Sequence, residues 1–114
     1  MRKFVITAAL LEKLGLAAEV NAKAVLGKGG FDVSQIVADG RAEIGTTFIS
    51  EALPVKGLTV VGPLPGDLHN TNGYTAAVHA RAANPAGAEA FLRKLTASAT
   101  RSRWTAAGLE PAFP

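Results

Sequence analysis

The stretch AEIGTTFISEALPVKGLTVVGPLP, residues 42–65, decides how this chain is read. Ala42 to Phe48 is a compact run of apolar and threonine residues. Leu58 to Val61 is a β-branched core closed by Gly62-Pro63 and Pro65-Gly66, so two short strands are predicted. Between them, Ile49-Ser50-Glu51-Ala52-Leu53-Pro54 falls at the C-terminal end of the first strand, where open α/β sheets gather their ligands. Hydroxyls and a carboxylate stand together there, which makes the segment a candidate site.

On the N-terminal side, Phe4 to Leu14 places apolar residues at Phe4, Val5, Ala8 and Leu11, with Glu12 and Lys13 opposite and Gly15 as a stop, which predicts a helix. Lys23 to Leu26 reads as a short strand running into Gly27-Lys28-Gly29-Gly30. Asp32 then caps a helix with Val33, Ile36 and Val37 on its apolar stripe, ended by Gly40. Helix, strand, helix, strand is the alternation of parallel pairing through right-handed crossovers. On the C-terminal side, the segment 63–73 is a loop rich in Pro, Gly, Asp and Asn, and Tyr74 to Ala80 alternates as a half-buried strand. Asn84-Pro85 opens a helix that buries Ala88, Phe91, Leu92 and Leu95. A final short helix, Arg101 to Ala107, stops at Gly108. The expected fold is therefore α/β, in three layers, with a mixed and mostly parallel sheet flanked by helices.

At 114 residues the chain suits one small domain, and 48% hydrophobic against 18% charged residues points to buried contact with another chain. No apolar run approaches the roughly 20 residues of a membrane span. Met1 to Leu11 imitates a secretion signal, but Glu12 and Lys13 cut the apolar run short, and an amphipathic helix is expected instead. With no cysteine there are no disulfides, thiolate metal sites or cysteine nucleophiles. The net charge of +3 gathers in the last third, where Arg81, Arg93, Lys94, Arg101 and Arg103 face only Glu89 and Glu110. Alanine dominates around them rather than the aromatics and amides of a nucleic-acid reader, so a solvated helix face is expected and no nucleic-acid partner.

The chemistry is sparse. Gly27-Lys28-Gly29-Gly30 lacks the spacing of a phosphate loop, and Asp32 displaces the third glycine of a dinucleotide fingerprint. Two readings remain for Gly29, Gly30 and Phe31: a helix start whose unpaired N–H groups hold an oxyanion, or a tight turn capped by Asp32. His69 and His79 have no partner at metal-ligand spacing, and no serine sits in a nucleophile elbow. Neither a metal, a cofactor nor catalysis is expected. Trp104 and Phe113 read as packing anchors for the last helix.

The order of these residues resembles the C-terminal half of the periplasmic solute-binding proteins of ABC transporters, with the type 2 fold and the molybdate-binding proteins in particular. The likeness is carried by Leu14-Gly15-Leu16, Gly29-Gly30, the run from Ile36 to Gly45, and Ile49-Ser50-Glu51. It continues through Gly62-Pro63-Leu64-Pro65, the return from Tyr74, and Ala107-Gly108-Leu109-Glu110-Pro111. The resemblance implies a non-enzymatic protein that holds a small oxyanion, such as molybdate, or another small polar solute. Contacts then fall at Gly30 and at Phe48, where molybdate binders place a tyrosine hydroxyl. Phe48 donates no hydrogen bond, and Thr46, Thr47 and Ser50 are the nearby donors. The implied ligand set is Gly29, Gly30, Phe31, Thr46, Thr47, Phe48, Ser50 and Glu51.

Such proteins run to about twice this length. The expectation is thus a single truncated domain, with 1–62 resembling the second lobe and 63–114 the hinge return and a piece of the first. A homodimer exchanging Tyr74 to Pro114 would supply what is missing. The resemblance further implies an ABC permease as partner and a periplasmic location, whereas the broken secretion signal, taken at face value, implies a cytoplasmic one. The alternative is a dimeric regulatory or structural module that keeps the fold without a transport ligand.

Overall fold

The structure, a computed structural model, describes the backbone of residues 2–113 and the side chains of residues 8–113. The chain forms two compact units, Met1–His69 and Asn70–Pro114. The first contains α1 (Arg2–Lys13), α2 (Ala17–Asn21), α3 (Gly30–Ala38), α4 (Ile49–Ala52) and a 3₁₀ turn at Gly66–Leu68. The second contains α5 (Pro85–Leu95), a 3₁₀ turn at Ser98–Thr100 and α6 (Arg101–Ala106). Among the described residues no helix is long and apolar enough to cross a membrane.

The helix ends follow the sequence closely. Gly15, Gly40 and Gly108 all have positive φ, at 69°, 71° and 77°. Each sits one residue past its helix cap, where the left-handed conformation lets two N–H groups turn back onto orphan carbonyls. After α3, Gly40 N–H bonds Val37 O at 2.9 Å and Arg41 N–H bonds Ile36 O at 3.0 Å. α1 and α6 close in the same way through Leu16 to Leu11 and Leu109 to Trp104. α5 starts as read, with the Asn84 side chain accepting from Gly87 N–H and Pro85 in the first turn. Phe4 and Val5 lie within α1, but their side chains lie outside the described residues.

Two local expectations need correction. Asp32 is not the cap of α3: Gly29, in fully extended backbone, occupies that position. Asp32 stands three residues inside and reaches back to accept from Lys28 N–H at 2.8 Å. Ile49 to Ala52, expected to lie between two strands, is a single helical turn with no strand on either side.

The larger correction concerns the sheet. Among the described residues there is no strand, so the expected three-layer α/β fold with a mixed, mostly parallel sheet is not what this chain forms. Residues 23–26, 42–48, 58–61 and 74–80 are neither helical nor paired. The physical difference lies in where hydrogen-bond partners come from. A helix satisfies its backbone within its own segment, whereas a strand requires a second segment alongside, and a parallel one requires a long crossover as well. Strand-like composition reports a preference for half-buried surface and does not supply the neighbour.

What core exists is built around α3. Val33 is approached from both sides by glycine backbone: a Cβ at Gly27 would lie 2.6 Å from Val33 Cγ2, and one at Gly45 would lie 3.0 Å from Val33 Cγ1. Only glycine lets segments 23–29 and 42–48 come this close. Below them, Ile36, Ala52 and Val55 are buried as α4 packs against α3.

Much apolar surface stays in water. Val61 is 99% exposed, Ile44 87% and Tyr74 75%, all in the segments read as strands. Single exposed apolar side chains are common, but three such residues in segments without partners leave these segments uncovered.

Candidate functional site

The start of α3 is where several sequence candidates meet. Gly30, its first residue, is buried, and a Cβ placed there would overlap Glu51 Oε2 and Thr47 Oγ1. The Glu51 carboxylate, carried by α4, is therefore set against the N-terminal end of α3, where the unpaired N–H groups and the helix dipole favour negative charge. Thr47 Oγ1 donates to Glu51 Oε2 at 3.0 Å, one residue ahead of the α4 cap. Phe48 supplies that cap position with extended backbone, and its carbonyl accepts from Glu51 N–H and Ala52 N–H.

Ser34 fixes the corner from beneath. Its side chain is 2% exposed, and its hydroxyl lies 2.9 Å from Gly30 O and 3.3 Å from Glu51 O. One hydroxyl proton serves two carbonyls, one at the start of α3 and one in α4, so the two helices are tied at a polar point inside the small core. The sequence carried a signal for this residue that went unread: Ser34 lies within the apolar stripe of Val33, Ile36 and Val37, four residues after Gly30.

Of the sequence-derived set, Gly30, Thr47 and Glu51 come together, with Gly29 as the cap residue beside them. Phe31 is 58% exposed, and Thr46 is exposed too. Phe48 and Ser50 are half-buried in the segment that forms α4. Phe48 contributes a backbone carbonyl at this point, and its ring carries no hydroxyl. Among the described residues, no group of His, Asp and Glu is arranged to hold a metal ion. His69 and His79 are both exposed, and His79 Nδ1 accepts from Arg81 N–H.

The arrangement is a hydrogen-bonding corner: an acceptor carboxylate, a hydroxyl and a helix start, bordered by exposed threonine and half-buried serine. The family of bacterial extracellular solute-binding proteins is matched over residues 5–110, and the chain belongs to that family. Comparison with curated proteins and with solved structures gives no match.

Proposed function

We propose that this domain binds a small polar solute at the α3–α4 corner, on behalf of an ABC transporter, and that it works as a homodimer. The observation that carries the binding site is the convergence of Gly30, Thr47 and Glu51. The ligand class follows from Glu51. Its carboxylate stands where a helix start would otherwise receive an oxyanion, and Phe48 offers no hydroxyl in its place. The negative charge of that carboxylate repels molybdate or sulfate and favours a solute bearing N–H or O–H donors. Thr46, Thr47 and Ser50 add hydroxyls, while Gly29, Gly30 and Phe31 shape the helix start.

The dimer is supported by the apolar residues left in water, Ile44, Val61 and Tyr74, which a second copy would cover. A dimeric regulatory module would share this association and differ in lacking the solute.

A melting-shift titration tests the reading, with molybdate, tungstate and sulfate in one arm and amino acids, small amines and polyols in the other. Stabilisation by a donor-bearing solute, reaching about 2.7 kcal/mol at a hundredfold excess over Kd and lost in Glu51→Ala, is the expected outcome. Stabilisation by oxyanions alone would overturn the ligand class, and no shift with any solute would favour the regulatory module.

A further inference from the structure

The second unit carries a cleft of its own, unconnected with the α3–α4 corner. α5, the 3₁₀ turn after it and α6 border an open cleft of about 420 Å³, lined by half-buried Leu95 and Trp104, exposed Phe91 and Ala107, and the cations Lys94 and Arg103. Its walls are pinned through one carbonyl. Leu95 O, near the end of α5, accepts from Trp104 Nε1–H at 2.9 Å and from Thr100 Oγ1–H at 2.7 Å. The indole and hydroxyl protons are therefore committed to the protein. What the cleft offers a ligand is apolar faces and two cations.

Those cations stand apart from the other charges of the unit. Arg93 pairs with Glu89 at 3.5 Å, and Arg101 lies over the Phe113 ring at 5.7 Å. Among the described residues, Lys94 and Arg103 have no carboxylate within ion-pairing distance. The surplus is regional: residues 1–69 hold seven basic and seven acidic side chains, residues 70–114 five basic and two acidic. An apolar cover without charge would strip water from two unpaired cations, at several kcal/mol each if fully buried. A small molecule with an apolar body and one carboxylate fills the floor and answers the rim together, and 420 Å³ is in the size range of small-ligand sites.

We infer that the α5–α6 cleft binds an amphiphilic monocarboxylate, its hydrocarbon against Phe91, Leu95 and Trp104 and its carboxylate between Lys94 and Arg103. Trp104 is the sole tryptophan, so its emission reports on this cleft and nothing else in the chain. The full chain is titrated with octanoate, octanol and octylamine, all below their micellar concentrations. Octanoate is expected to change Trp104 emission saturably and to bind on the order of tenfold more tightly than the other two, as two partly exposed ion pairs allow. In the double variant Lys94→Gln/Arg103→Gln, octanoate falls to the level of octanol. The site is overturned if octanoate gives no saturable change, if the three ligands bind alike, or if the double variant keeps the preference. The comparison of three ligands on the unaltered chain decides the matter even where the double variant folds poorly.

Discussion

Replacing Gly30 by alanine probes the α3–α4 corner with a single carbon. Alanine is the better helix former by up to about 1 kcal/mol in a helix interior and by less in the first turn, so at an open position this change would stabilise α3. Gly30 is not open, because the new Cβ would overlap Glu51 Oε2 and Thr47 Oγ1. Relief requires Glu51 to swing out. That breaks its hydrogen bond from Thr47, worth about 1.5–3 kcal/mol for a charged acceptor before water replaces part of it. It also removes a carboxylate from a helix start, worth about 0.3–1 kcal/mol. Holding Glu51 in place and shifting backbone instead falls in the same range, about 1–3 kcal/mol.

The net expectation for Gly30→Ala is a loss of about 2 kcal/mol, a fall in Tm on the order of 10 °C for a unit of this size. Thermal unfolding followed by far-UV circular dichroism at fixed protein concentration reads it. The companion variant Glu51→Ala removes one of the two obstructing groups and leaves the Thr47 hydroxyl, which can rotate once its acceptor is gone, so in that background Gly30→Ala should cost less, a coupling of about 1 kcal/mol. A Gly30→Ala protein that melts at or above the parent temperature would contradict the close approach of Glu51. So would additivity of the two changes.

Three further outcomes follow from single contacts. Ser34→Ala, which removes the hydroxyl shared by Gly30 O and Glu51 O, should lower stability by about 1 kcal/mol in denaturant titration; an unchanged midpoint would show that the tie carries nothing. Asn84→Ala deletes the cap on Gly87 N–H and should cost about 1 kcal/mol, seen as faster amide exchange across Gly87 and Ala88. Trp104→Phe keeps the ring and loses the Nε1–H bond to Leu95 O; a loss of about 1 kcal/mol with loosened exchange in α6 is expected, and equal protection would remove Trp104 as the anchor of that helix.

The parts of this molecule that were legible in its sequence are those whose causes are local. Gly15, Gly40 and Gly108 end helices because a left-handed residue satisfies carbonyls of the same helix, and Asn84-Pro85 starts one for equally near reasons. Asp32 was misplaced by one turn because an extended glycine, Gly29, serves as a cap position without a side chain. The strands failed on a different ground. Leu58 to Val61 has the residues of a strand, but composition alone does not provide a neighbouring segment. The corner was half legible: Gly30, Thr47 and Glu51 were all named as candidates from their types and from family likeness. Their meeting depends on α4 turning Glu51 toward α3, and Ser34 beneath them was read as part of neither core nor site. Trp104 was read as an anchor, and its Nε1–H bond makes it one. The cleft beside it went unread because its wall comes from α5 and its rim from two separate helices.

The uncovered surface bears on every other claim, since Ile44, Val61 and Tyr74 stand in water. Sedimentation equilibrium across a hundredfold range of protein concentration tests the dimer directly. The account predicts a species of twice the chain mass that persists to low concentration, with loss of helical signal where it dissociates. A monomer at every concentration with its helical signal intact would contradict it.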